Sequence, residues 1–278
     1  MEPSCLLMAS AALLLASRLL MPRPGARPEI EGYRQFLWEL NRLFCSLWHG
    51  LDSTSMAPLP ERGPAILIAN HTSGLDPSLL QATSRRVLGF LIAREFYEHR
   101  VFHPICRILG CIPVNRDGHD LAAVRAALLA LKAGRVVPIF PEGRINPTSG
   151  RTILEPKPGV AFIVLRARVP VIPAFIWGTP ATNRIVRALV TPSRAHVIYG
   201  PPIDPSALDV DGPVDRERLA AVADQLMDAI RSLQARALGG ESVREPGAVA
   251  THDPDRLPRR TEERAGALSG DRAALRGA

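Results

Sequence analysis

Residues 65–77 read AILIANHTSGLDP, and the reading of this stretch decides the fold. Ala65 to Ala69 form a short apolar run with two β-branched residues. Such a run suits a strand covered on both faces. It stops at Asn70 and passes into a Gly-containing loop that ends at Asp76-Pro77. Loops at strand ends are common places for side chains that do chemistry.

Working outward, four more runs have the same character: LGFLIA (88–93), RVVPIF (135–140), VIPAFI (171–176) and HVIY (196–199). Between them, Leu121, Val124, Leu128 and Leu131 recur at helical spacing, with Gly134 where a C-cap residue would sit. Leu219, Val222, Leu226, Ile230 and Leu233 form a second stripe, entered through Pro213 and Asp215. Strand–helix alternation predicts an α/β layered fold, a mostly buried mixed sheet flanked by helices, over residues 51–237.

The two ends of the chain read differently. Residues 4–21 are apolar apart from Arg18. Only Glu2 precedes them, where a signal peptide would carry basic residues, and the uncharged part is short for a full span. A helix that dips into or lies along one leaflet fits better, with Arg18, Arg23 and Arg27 holding the remainder on the cytoplasmic side. Residues 33–49 carry a second stripe: Phe36, Leu37, Leu40, Leu43, Phe44, Leu47 and Trp48, with Arg34, Gln35, Glu39, Arg42 and Ser46 opposite. Read alone it is either a core-packing helix or an interfacial one. Beside residues 4–21 it reads as half of a membrane-associated helical pair over residues 1–50, a monotopic or single N-terminal anchor. Residues 238–278 are rich in Gly, Pro and Arg without apolar periodicity, and read as a disordered basic tail.

Composition narrows the partners. The 278 residues are 46% hydrophobic with a net charge of +7. That balance favours anionic partners, whether nucleic acid, anionic lipid or a phosphorylated substrate. No nucleic-acid-binding motif and no basic stripe outside the tail is present, so no nucleic-acid partner is expected. Cys5, Cys45, Cys106 and Cys111 are scattered, without zinc spacing, so neither a metal nor a disulfide framework is expected.

Chemistry-bearing residues gather in four segments. In NHTSGLDP (70–77) the loop can fold the Asp76 carboxylate back onto His71. Asp76 would then fix the tautomer and His71 would act as general base. The competing reading is a satisfied loop histidine beside a helix capped by Asp76, with Pro77 in its first turn. IFPEGRINP (139–147) offers Glu142, Gly143 and Arg144 at a strand-to-loop turn. The Gly143 N–H could face an anion there, and Arg144 could hold a phosphate. GCIPVNRDG (110–118) places Arg116 after a short apolar run, and ARVPVIPAFIWGTP (167–180) is a proline-bracketed strand.

In this order the four segments resemble the four blocks of the lysophosphatidate (1-acylglycerol-3-phosphate) acyltransferase family. NHTSGLDP resembles its His-x4-Asp motif. Gly110 to Arg116 resembles the second block, FPEG with the later Lys157-Pro158-Gly159 the third, and the valine/proline strand the fourth. The resemblance runs from about residue 64 to residue 202. One departure stands out: the commonest third block is FPEG-Thr-Arg, whereas here Arg144 follows FPEG directly and the Thr is absent. In an extended segment that shift turns the Arg to the other side, which bears on the acceptor headgroup.

The resemblance implies acyl transfer from acyl-CoA or acyl carrier protein to a lysophospholipid hydroxyl, foremost the sn-2 hydroxyl of 1-acyl-glycerol-3-phosphate. No cofactor is implied. His71 and Asp76 would be catalytic, and Arg116, Glu142, Gly143, Arg144 and Lys157 would bind substrate. Glu142 would brace Arg116 or accept a hydrogen bond from the acceptor, and the backbone around Gly143 would serve the oxyanion. Membrane lipids are the implied partners, at the cytoplasmic face of the membrane. Two other readings stay open: a different lysolipid acceptor, such as lysophosphatidylethanolamine or an ornithine lipid, or a non-catalytic lipid-binding relative.

Overall fold

The computed structural model describes residues 32–53, 56–115, 120–148, 150–208 and 214–239. The apolar stretch 4–21, the tail from 240 onward and Arg116 lie outside them.

AILIA forms β2 (Ala65–Ala69), an inner strand of a five-stranded sheet ordered β1-β7-β6-β2-β5. The other strands are β1 (Asp52–Ser53), β5 (Val136–Ile139), β6 (Val171–Trp177) and β7 (His196–Tyr199). β2 runs parallel to β5 and β6, and β7 runs antiparallel to β6, so the sheet is mixed as expected. All five β2 residues are buried. Because side chains alternate along a strand, Ile66 and Ile68 join one apolar cluster and Ala65, Leu67 and Ala69 another. The first is closed by α5 (Leu121–Lys132), α6 (Pro158–Ala167) and α8 (Arg216–Ala237). The second is closed by α1 (Tyr33–Trp48), α2 (Asp76–Ala82) and α7 (Ile185–Val190). Both faces are covered, which is why the strands read as continuous apolar runs.

The helix ends match their sequence signals. Asp120 caps α5 through the Ala123 N–H (2.9 Å), Asp215 caps α8 through the Arg218 N–H (2.8 Å), and Gly134 follows α5 with φ 78°. The run 88–93 does not form one strand. Leu88 bridges Val136, whereas β3 (Leu91–Ala93) pairs with β4 (Ile112–Val114) in a separate two-stranded sheet. The break falls at Gly89, where a Cβ would meet Arg135 Nη2 at 2.5 Å. α3 (Arg94–Tyr97) and α4 (His103–Leu109) connect β3 to β4.

The amphipathic stripe of α1 is only partly covered, and one residue of its polar face departs from expectation. Leu43 is buried and Phe44 half-buried, but Phe36, Leu40 and Leu47 face outward with Tyr33, between 50% and 62% exposed. Arg42, expected on the wet face, is buried with its guanidinium 4.2 Å over the Trp38 ring. The cause is the partner. α1 packs on α2 and the turn after it, where backbone carbonyls face it beside the apolar cluster. Trp38 Nε1 donates to Gln81 O (3.0 Å) and Ser84 O (2.9 Å), and Asn41 Nδ2 donates to Ser78 O (2.9 Å). Donors therefore turn inward, and an aromatic-aliphatic stripe is left outside. Among the described residues no helix is long and apolar enough to cross a membrane.

Candidate active site

The carboxyl ends of β2, β5 and β6 converge. In open α/β sheets this edge is where ligands bind. Asn70 continues β2 by one side chain: its Oδ1 accepts the Ile176 N–H (2.7 Å) and its Nδ2 donates to Ile176 O (2.8 Å). The end of β2 is thereby clamped to β6, and the next residue is His71.

His71 and Asp76 meet as the spacing suggested. His71 Nδ1 lies 2.8 Å from Asp76 Oδ2, with 16% of the His71 side chain exposed and none of Asp76. An ionised carboxylate can only accept, so Nδ1 carries a proton, and in the neutral imidazole Nε2 then holds the lone pair. Asp76 also accepts from the Thr72 N–H (2.6 Å) and Ser73 N–H (3.0 Å) on Oδ2, and from Thr72 Oγ1 (2.7 Å) on Oδ1. Its carboxylate reaches back into the loop. It does not cap α2, which starts after Leu75 without a side-chain cap. Thr179, just beyond β6, donates to Thr72 Oγ1 (2.7 Å), completing a chain Thr179–Thr72–Asp76–His71.

Phe140 forms the wall behind the imidazole. Its ring stacks on His71 at 3.9 Å between centroids and 9° between planes, with Phe90 stacked behind it. Glu142 is 2% exposed and turned inward. Its Oε1 accepts the His71 N–H (3.0 Å), and its Oε2 accepts the Leu154 N–H (3.2 Å) and Asn146 Nδ2 (3.4 Å). Asn146 returns a bond through its own N–H to His71 O (2.8 Å). The FPEG turn thus holds the His71 backbone from both sides.

The other expected residues separate. The Gly143 N–H donates to Phe140 O (3.0 Å) within the turn, so it is not aimed at an oxyanion. The glycine is needed instead for φ 66° and for Lys157, whose Cδ would lie 2.7 Å from a Cβ there. Arg144 and Lys157 are exposed at this edge, and the Lys157 N–H donates to Pro141 O (2.9 Å), which sets the amino end of α6 against the turn. A helix amino end carries partial positive charge. Three cationic features thus share one rim, and the Glu142 carboxylate is turned away from it. Thr72, Thr179, Phe140 and Asn146 had no role assigned from sequence. All four lie within the quoted segments, but Thr179 is 107 residues from its partner Thr72, and no local signal links the two.

The acyltransferase family model matches residues 51–177. Over 122 residues the chain is 25% identical to a probable 1-acyl-sn-glycerol-3-phosphate acyltransferase of Mycoplasma genitalium, covering 42% of this chain and 45% of that relative. The chain therefore matches less than half of that relative's length. The fold is that of the crystal structure of the 1-acyl-sn-glycerophosphate (LPA) acyltransferase PlsC from Thermotoga maritima: TM-score 0.58 and 22% identity, covering 83% of this chain and 89% of that one.

Proposed function

We propose, from the match of residues 51–177 to the acyltransferase family model, that the chain moves a fatty acyl group from an acyl-CoA or acyl carrier protein thioester to a lysophospholipid hydroxyl. The preferred acceptor is the sn-2 hydroxyl of 1-acyl-glycerol-3-phosphate, and the product is phosphatidate. The observation that carries the reading is the His71–Asp76 pair, with Nδ1 bound at 2.8 Å and Nε2 left for substrate.

The acceptor alcohol is a weak nucleophile and needs a base within hydrogen-bond reach. His71 Nε2 takes its proton as the oxygen attacks the thioester carbonyl. Asp76 stabilises the imidazolium and holds its orientation. The tetrahedral intermediate collapses with expulsion of the thiolate, and the proton on Nε2 passes to sulfur. His71 is neutral again and no covalent enzyme intermediate forms. Arg144, Lys157 and the α6 amino end supply the positive rim for a glycerol-phosphate headgroup, and Arg116 is its further proposed member. The outward stripe Tyr33, Phe36, Leu40 and Leu47 supports attachment to a bilayer surface, where both lysolipid and product reside. Arg144 stands one position earlier than in the commonest family motif, which favours keeping a second acceptor class, lysophosphatidylethanolamine or an ornithine lipid, in the test.

That test offers labelled acyl-CoA or acyl carrier protein with this panel of acceptors to wild type and His71→Ala. Transfer to lysophosphatidate that falls by roughly 10²–10⁴ in His71→Ala is the expected result. His71-dependent transfer to another acceptor alone would overturn the headgroup assignment. Undiminished transfer by His71→Ala would remove the general base.

A further inference from the structure

Residues 178–195 run from β6 to β7, carry α7, and touch two places at once. On one side they meet the catalytic loop. Thr179 Oγ1 donates to Thr72 Oγ1, and Ile185 crowds Gly74 so closely that a Cβ there would lie 2.6 Å from its Cγ1 and 2.9 Å from its Cα. On the other they meet the end of α1. Ser193 Oγ is 2.9 Å from His49 Nδ1, and the Ala195 N–H donates to His49 O (2.8 Å). Leu47 and Trp48, immediately before that joint, are exposed.

The outer face of the segment is apolar and cationic. Val186 and Val190, four residues apart on one face of α7, are 66% and 62% exposed. Arg184, Arg187 and Arg194 are exposed as well, and no Asp or Glu occurs between 178 and 195. Three cations without a local counter-charge beside an apolar stripe match an anionic lipid surface, where cations meet phosphates and aliphatic groups reach the acyl boundary.

We propose that α7 is a second membrane-contact element that docks on an anionic bilayer and thereby steadies the His71–Asp76 loop through Ile185 and Thr179. The proposal rests on the membrane reading of the α1 stripe. It makes turnover respond to the charge of the surface on which the acceptor is presented.

The test uses the full chain purified in detergent, with phosphatidylcholine vesicles with and without phosphatidylglycerol. Wild type, Val186→Glu/Val190→Glu, Arg184→Glu/Arg187→Glu and Ile185→Ala are compared by co-sedimentation. Turnover of the acceptor selected above is measured in vesicles and in micelles. Wild type is expected to partition to the anionic vesicles and turn over faster there. Each double variant is expected to lose more than about tenfold in partitioning, with micellar turnover within about twofold of wild type. Ile185→Ala is expected to bind normally but lose the stimulation. Double variants that sediment like wild type would overturn the role of α7 and leave the α1 reading standing. Full stimulation of Ile185→Ala would overturn the coupling. Wild type that stays in solution with every vesicle would overturn the membrane reading and this proposal with it.

Discussion

Asp76 accepts four hydrogen bonds on two oxygens, and only one of them comes from His71. The other three fix the carboxylate before the imidazole needs it, which is the preorganisation that an acid–base pair requires. Among the described residues Thr72 Oγ1 is the one partner of Asp76 Oδ1, and it is also the acceptor for Thr179. Thr72→Val removes that hydroxyl and leaves a buried carboxylate oxygen unsatisfied, a cost of about 1–3 kcal/mol. Part of it falls on the orientation of His71. The expected result is kcat lowered by about tenfold with KM for the acceptor unchanged, and recovery in Thr72→Ser, which keeps the hydroxyl. Steady-state kinetics of the two variants decides this, and wild-type kcat in Thr72→Val would sink it. The His71–Asp76 pair was legible because both residues lie in one loop after one strand. Glu142 was legible as a site residue but not in its role. Its turn folds inward, and a buried carboxylate then has two backbone N–H groups to satisfy it.

Gly74 shows how elements constrain the loop. α7 approaches so closely that an alanine there would press on the Ile185 backbone as well as its side chain. Overpacking of this kind costs about 1–3 kcal/mol, and at roughly 2–4 °C per kcal/mol for a domain of this size Gly74→Ala should melt several degrees below wild type. Adding Ile185→Ala relieves the Cγ1 contact and should restore part of the loss. Thermal melts of the three proteins measure it, and an unchanged midpoint in Gly74→Ala would refute the contact. At this scale the inner strands and the two Asp-capped helices, α5 and α8, were legible, because uninterrupted apolar runs and Asp caps are local signals. The inward turn of Trp38, Asn41 and Arg42 on α1 was not. A stripe says that one face differs from the other, and what lies opposite decides which turns inward. Here carbonyls along α2 and just after it draw in Asn41 and Trp38, and Arg42 follows the Trp38 ring.

At the scale of the molecule, His49 joins α1 to the segment that leads from α7 into β7. Its ring is fully buried, edge-on to Phe44. Burial disfavours the imidazolium and holds His49 below the ordinary histidine range, against a smaller upward pull from the Leu189 backbone. The sign follows from linkage. The unfolded chain protonates first as pH falls through about 6.5, so it binds more protons than the folded chain below that point. The contribution of His49 is therefore intact above that range and declines as pH falls through it. The expected outcome is a melting midpoint that drops between about pH 7.5 and pH 5.5, with a shallower drop in His49→Gln, which has no proton to take up. Comparing the slopes of the two proteins, rather than their absolute midpoints, removes any constant packing defect of the variant. Equal slopes would place the acid sensitivity elsewhere. A shallower slope would make the joint between α1 and β7 a point where mild acid loosens the helix that carries the outward apolar stripe.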